Sequence, residues 1–111
     1  WRLCRKILQL DTHEYLRRFD RVNLVESGAW SRQRAHARAR EILAESGDRP
    51  ALVFLGQRVA GAFGAGGLFS VRIGKPTVVV LSHPSGRCLR WNEPGAYQRA
   101  REVLALGGVL P

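Results

Sequence analysis

Methionine is absent from this chain of 111 residues, and cysteine occurs only twice. Because the chain begins with Trp1 and has no Met, we expect it to be the C-terminal part of a longer product. Cys4 and Cys88 lack the paired spacing of a zinc site, and they do not resemble a disulfide framework. Ala51–Leu55 and Thr77–Leu81 are apolar runs far shorter than the ~18 to 20 residues that cross a bilayer. We therefore expect no membrane span, no secretory leader and a cytoplasmic location.

Acidic residues and lysine are also scarce. Nine Asp and Glu stand against 18 Lys and Arg, which gives a net charge of +9, and sixteen of the 18 cations are Arg. The planar guanidinium group matches phosphate oxygens in a bidentate way. The charge therefore makes nucleic acid the leading partner class, although a general compositional preference for Arg would give the same count.

The remaining composition is that of one globular domain. Hydrophobic residues make up 45% of the chain and charged residues 24%, and 111 residues suit a single core. We therefore treat residues 1–111 as one domain, and as a monomer.

Apolar residues at helical spacing predict several helices. Leu3 and Ile7 indicate a first short helix, and Asp11 followed by Glu14 is typical of the cap and first turn of a second one. A longer helix is predicted from an N-cap at Ser31 to a stop at Gly47, with Ala35, Ala39, Ile42 and Leu43 on its buried face. A last helix is predicted from Asn92, Glu93 and Pro94 onward, with a core face of Ala96, Tyr97, Ala100, Val103 and Leu104.

Three runs rich in β-branched or apolar residues predict strands, at residues 21–25, Ala51–Leu55 and Thr77–Leu81. Residues 57–63 predict a helix after the second strand, and the glycine-rich residues 64–75 predict an irregular loop or an edge hairpin. This alternation of strands and helices favours an α/β fold with three layers, α/β/α, around a central and mainly parallel sheet.

Ligands of such sheets bind beyond the carboxyl ends of the strands. The residues delivered to that edge are Asn23, Gly56, His83 and Ser85. An Asn amide can read a base edge such as that of uracil, and a histidine can donate to a base oxygen that gains negative charge. This combination suits cleavage of an N-glycosidic bond. The structural alternatives are an Asn23 that caps a turn and a His83 held in a loop by Pro84.

Other chemistries fit less well. The sequence positions no acid to orient His83, so a Ser-His hydrolase is poorly supported. Gly56 and Gly61 have the spacing of a phosphate loop, but Ala62 stands where that loop needs Lys. The His and Cys residues are scattered, so we predict neither a metal site nor a cofactor.

Residues 81–86 read Leu-Ser-His-Pro-Ser-Gly and are followed by Trp-Asn at 91–92. This segment resembles the His-Pro-Ser motif of the uracil-DNA glycosylase superfamily. Residues 51–64 look like the preceding strand, glycine and helix of that superfamily, and residues 19–24 are similar to its Asn-bearing strand. Small bacterial and phage members are the most similar, and the chain would be the C-terminal two-thirds of such a domain.

The resemblance implies a three-layer α/β/α fold and hydrolysis of the base–sugar bond in DNA that contains uracil or another deaminated base, with single-stranded DNA among the substrates. Asn23 then matches the residue that reads the base, beside Gly56, and His83 matches the one that stabilises the departing base's oxygen. The residues that it places on DNA are Ser85, Gly86, Arg87 and Arg90.

The sequence departs from the family at two points. Arg87 stands where the family has an apolar wedge that fills the vacated base stack, and Arg fills a stack less well than Leu. The family's first motif, which positions the attacking water, would lie before Trp1. The competing hypothesis is therefore a noncatalytic nucleic-acid-binding domain with a glycosylase-like fold, and a third is an α/β domain whose Arg content is compositional.

Overall fold

A computed structural model describes residues 2–22, 24, 30–46, 48–84 and 89–110. The helices are α1, Thr12–Arg18; α2, Arg32–Glu45; α3, Gln57–Ala62; and α4, Ala96–Leu106. The strands are β1, Ala51–Leu55; β2, Ser70–Arg72; and β3, Thr77–Leu81. A π-helix spans Arg2–Ile7, and a 3₁₀ helix spans Leu89–Asn92. Helices combined with a small sheet confirm the α/β class.

Within these ranges the strands form one sheet in the order β1-β3-β2. Strand β1 runs parallel to β3, with Ala51 opposite Thr77, and β2 runs antiparallel to β3, with Ser70 opposite Val80. The described strands therefore make a mixed sheet and do not by themselves give the mainly parallel one that the sequence predicted. Residues 64–75 were predicted to form either an irregular loop or an edge hairpin. The antiparallel pairing of β2 with β3 confirms the edge hairpin.

The central strand β3 is buried along its whole length, as its β-branched run predicts. Successive side chains of a strand point to opposite faces of the sheet. Val79 and Leu81 accordingly belong to one core cluster, and Val78 and Val80 belong to another. The strand thus supplies side chains to two cores at once, which is why it lies at the centre of the sheet.

The larger core joins β3 to α4 and the N-terminal π-helix. Ala100 and Leu104 of α4 are fully buried there, and Ile7 packs in the same cluster. Burial of a Leu or Ile side chain contributes roughly 1.5–3 kcal/mol, so this contact accounts for much of the attachment of α4 to the sheet.

On the other face, α3 lies between the sheet and α2. Ala60 of α3 packs with Phe54, Val78 and Val80, and the ring of Phe63 stacks on that of Phe54 at 4.2 Å between centroids. Helix α2 then packs on α3 through small buried residues, and this outer cluster comprises Leu24, Ala35 and Ala39, with Val59, Ala62 and Phe63 against it.

The predicted helix starts are confirmed at two places. The Oδ1 atom of Asp11 accepts a hydrogen bond from the backbone N–H of Glu14 at 2.8 Å, which satisfies a donor that the first turn of α1 leaves open. Ser31 caps α2 in the same way, since its Oγ accepts from the N–H of Arg34 at 3.4 Å. Gly47, the predicted stop of that helix, lies outside the described residues.

The strand predicted at residues 21–25 is not found in the described part of that segment. Arg21 and Val22 have no regular structure, and Leu24 lies in a bend. Leu24 is buried against α2 and α3 instead of taking a place in the sheet. Because β-propensity chiefly reflects packing on a half-buried sheet surface, a short β-branched run does not form a strand when no neighbouring strand pairs with it. Asn23 itself lies outside the described residues.

Two further details of the sequence prediction are wrong. Leu43, expected on the buried face of α2, is exposed. The last helix begins later than predicted, because Asn92 ends the 3₁₀ helix and α4 starts at Ala96 behind Gly95. Gly95 adopts a positive φ of 78°, which turns the chain between the two helices.

Among the described residues, no helix combines the length and the apolar character that a membrane span requires.

The close contact between α4 and β3 gives a test of this packing. A Cβ atom added at Gly107 would lie 2.7 Å from Cγ2 of Val79, a stiff and fully buried side chain. We expect Gly107→Ala to lower the free energy of unfolding by about 1–3 kcal/mol. Gly61→Ala, inside α3 with open space around it, should instead raise it by about 0.5–1 kcal/mol. Urea titration of both variants measures this, and equal effects would contradict the described packing.

Candidate functional site

The carboxyl ends of β1 and β3 lie side by side, as the parallel register requires, with Leu55 opposite Leu81. One more hydrogen bond follows the last strand pair: the N–H of Gly56 donates to the carbonyl oxygen of Leu81 at 2.8 Å. This bond holds the two segments together just past the strand ends. The segment after β1 turns at Gly56 into α3, and the segment after β3 continues to His83.

Gly56 and His83 come into direct contact at this edge. Gly56 has a φ of 102°, a conformation that L side chains rarely adopt. A Cβ atom at this position would meet Cβ of His83 at 3.4 Å and Cδ2 of its ring at 3.8 Å. The positive φ therefore favours glycine at the turn into α3, and His83 lies within ordinary van der Waals distance of this position. The structure brings together these two residues that the sequence assigned to one edge.

The backbone of His83 is held from the other side by Trp91. The indole Nε1–H of Trp91 donates to the carbonyl oxygen of His83 at 2.8 Å. Trp91 is only 3% exposed, its ring stacks on Tyr97 at 5.3 Å, and the ring of Phe69 meets it edge-on at 5.7 Å. The exposed His83 side chain thus rises from a backbone that is anchored to the core.

Ser82 lies between the strand and His83, and its residue is 1% exposed. Within the described structure its Oγ has no hydrogen-bond partner. A buried hydroxyl without a partner costs roughly 1–3 kcal/mol. Ser82 was not among the predicted site residues. The burial and the hydrogen bonding of a single serine depend on the tertiary structure and cannot be predicted from its neighbours in the chain.

The other predicted site residues do not all fall within the described ranges. Asn23, Ser85, Gly86 and Arg87 lie outside them. Arg90 is described and exposed, in the 3₁₀ helix that also carries Trp91. The DNA-contacting roles of this group, and the base-reading role of Asn23, therefore remain predictions.

A second polar feature begins two residues after Gly56 and was missed by the sequence reading. The Cζ atom of Arg58, in the first turn of α3, lies 5.8 Å from the ring centroid of Trp30. That distance is within the range of a cation–π contact. Trp30 is 37% exposed although its ring is large and apolar. The pair joins residues 28 positions apart, so the only hint in the sequence was the Trp itself, directly before the N-cap of α2.

An open cavity of about 530 Å³ lies elsewhere on the molecule. It is formed by residues 8–10, Arg18, part of α4 and Leu110, and none of the described residues that line it is a predicted site residue. The candidate site is therefore an exposed edge of the sheet and does not coincide with this cavity. In the described ranges, no group of three or more His, Cys, Asp and Glu side chains is arranged to hold a metal ion.

Comparisons of the chain with models of protein families, with curated proteins and with solved structures found no match.

The anchor of His83 can be tested by removing one hydrogen bond. Trp91→Phe keeps an aromatic ring in the core but loses the donor to the His83 carbonyl, so we expect the free energy of unfolding to fall by about 1–3 kcal/mol. Tyr97→Phe keeps the ring that stacks on Trp91 and should change it by less than about 0.5 kcal/mol. Urea titration gives both values, and an unchanged Trp91→Phe would rule out this anchor.

A second pair of variants tests the environment of Ser82. Ser82→Ala removes a buried hydroxyl that has no described partner, so it should leave stability unchanged or raise it by about 1–2 kcal/mol. Thr77→Val, at the other end of β3, removes a hydroxyl that donates to the carbonyl of Gly74 at 3.2 Å and should lower stability by about 1 kcal/mol. Thermal unfolding of both variants measures this. A marked loss on Ser82→Ala would mean that its hydroxyl does have a partner.

Proposed function

We propose that this chain belongs to a DNA glycosylase that hydrolyses the bond between the sugar and uracil, or another deaminated base. The contact between Gly56 and His83 at the carboxyl ends of two parallel strands carries the proposal. Support also comes from the net charge of +9, which favours binding to a phosphate backbone.

In this proposal the base lies at the sheet edge formed by Gly56 and the imidazole of His83. The oxygen of a water molecule bonds to C1′ of the sugar and releases a proton to solvent, while the bond from C1′ to the base nitrogen breaks. The bonding electron pair stays with the base, and a carbonyl oxygen of the base takes up negative charge. His83 donates a hydrogen bond to that oxygen, which stabilises the charge as it develops.

Anchoring of His83 supports this role. A donor stabilises a developing charge best when it is already in place and needs no reorganisation. The hydrogen bond from Trp91 and the contact with Gly56 restrain the chain on both sides of the imidazole. Asn23 is proposed to read the base edge.

The proposal also includes a three-layer α/β/α arrangement of the domain. Helix α4 packs with Val79 and Leu81 of β3, and α3 packs with Val78 and Val80. Helices on both faces of the sheet would be the outer layers of an α/β/α domain.

The second candidate is a noncatalytic nucleic-acid-binding domain. The Arg58–Trp30 contact favours it, because an exposed aromatic ring beside a guanidinium group suits a nucleobase and requires no bond cleavage.

The proposed role of His83 predicts a loss of activity on substitution. The full-length protein that contains this chain should release uracil from a single-stranded oligonucleotide, which leaves a site that alkali cleaves. We expect His83→Ala to lower the rate by about 10²- to 10³-fold, since it removes the donor to the departing base. Gel electrophoresis of the cleaved strand measures the rate.

His13→Ala is the matched control, because His13 is an exposed histidine of α1. It should leave the rate unchanged. Equal cleavage by the wild type and His83→Ala would exclude the proposed role of His83. Binding of DNA without release of any deaminated base by the full-length protein would favour the noncatalytic candidate.

A further inference from the structure

One flank of α2 carries two arginines and a histidine at regular spacing. Arg32, His36 and Arg40 are four residues apart and all exposed. Residues four apart lie above one another on a helix, at steps of about 6 Å along its axis. The inner face of the helix is marked by Ala35 and Ala39, which are buried against the rest of the domain. The cationic flank is therefore parallel to the helix axis and open to solvent.

Acidic side chains near this helix are engaged on its other flank. Arg38 forms salt bridges with Glu41 at 2.8 Å and with Glu45 at 3.7 Å. In the described part of the chain, no salt bridge involves Arg32 or Arg40. Among the described carboxylates, none therefore forms an ion pair with the arginines of this flank.

Other carboxylates are likewise bound to arginines away from α2. Arg17 pairs with Glu14 at 2.6 Å, and the hydrogen bond from Arg17 lowers the pKa of the Glu14 carboxyl. Asp20 pairs with Arg49. These pairs neutralise part of the surface and leave the flank of α2 as a cationic stretch.

An aromatic platform lies at the start of the same helix. Trp30 directly precedes the N-cap Ser31, and Arg58 of α3 lies over its ring at 5.8 Å. Helix α2 packs on α3, and the Arg58–Trp30 contact joins α3 to the residue just before the N-cap of α2. In the chain, Arg58 comes two residues after Gly56, which lies against His83 in the candidate site.

We propose that Trp30, Arg32, Arg40 and Arg58 form a binding track for single-stranded DNA, which we call the α2 track. Arg32 and Arg40, which lie about 12 Å apart along the helix axis, each bind a phosphate of the strand, and a base stacks on Trp30 beside the guanidinium group of Arg58. The inference rests on the proposed function for the identity of its partner, a DNA strand, and it adds the path by which the strand approaches His83.

A single strand fits this surface better than a duplex does. Bases of a duplex are already stacked on one another, whereas an unpaired base can stack on an aromatic side chain. Such stacking accepts every base, because each has a π-face. The α2 track therefore binds the backbone and one base without reading sequence.

The experiment measures fluorescence anisotropy of a labelled oligothymidylate of about 15 nucleotides, which contains no uracil, over a range of salt concentrations. Each phosphate contact to a single strand contributes about 0.7 to the slope of log affinity against log salt. Arg32→Gln with Arg40→Gln should therefore reduce the slope by about 1.4 and weaken binding about tenfold at low salt. The matched control is Arg34→Gln with Arg72→Gln, which removes the same charge from exposed positions outside the track. It should weaken binding by no more than about twofold.

The stacking contact is tested at Trp30. Trp30→Ala should weaken binding about 5- to 150-fold, while Trp30→Phe, which keeps an aromatic face, should retain most of the affinity. Circular dichroism of each variant checks that the fold is kept, and the arginine pair tests the track even if Trp30→Ala does not fold.

Several results would overturn the inference. One is a protein that binds no oligothymidylate, and another is a control pair that loses as much affinity as the Arg32 and Arg40 pair does. A folded Trp30→Ala variant with unchanged affinity would also overturn it, as would an unlabelled duplex of the same length that displaces the labelled strand as well as an unlabelled single strand does. The proposed function fails separately. A protein that binds as expected but releases no deaminated base contradicts only the glycosylase, whereas normal release with unaltered binding by the track variants contradicts only the α2 track.

Discussion

Burial of β3 on both faces is the constraint on which the described fold depends. Its alternate side chains enter two different cores, so α4 and α3 must pack on opposite sides of the same five residues. A polar residue at Val79 or Val80 would lie in an apolar environment without a partner, which is costly. The strand therefore tolerates little variation, and its neighbours β1 and β2 take their register from it.

The candidate site follows from this arrangement. The parallel pairing of β1 with β3 brings both strand ends to one edge, and the hydrogen bond from Gly56 to Leu81 extends the pairing one residue further. Beyond that point the two segments separate. The segment after β1 enters α3, and the segment after β3 leads to His83. A positive φ at Gly56 and the indole of Trp91 then determine how close His83 comes to its neighbour.

The cationic flank of α2 does not depend on the strand pairing that forms the candidate site. Most of the positive charge of the chain comes from Arg, but several of these side chains are tied to acidic neighbours, as Arg17 and Arg38 are. What distinguishes the flank of α2 is therefore the position of its arginines relative to the carboxylates, and not their number. The aromatic ring of Trp30 adds a second kind of contact at the end of that flank, close in sequence but completed by Arg58 from another helix.

The amino-acid sequence by itself determined the α/β class, the strands Ala51–Leu55 and Thr77–Leu81, and the caps at Asp11 and Ser31, because periodicity and capping are local properties of the chain. It also indicated that Gly56 and His83 share an edge, since parallel strands end on the same side.

The tertiary structure alone decided that Leu24 packs against helices, that β2 runs antiparallel, and which partners Trp91 and Arg58 have. Each of these depends on contacts between residues far apart in the chain, and such contacts leave no local pattern from which they could be read.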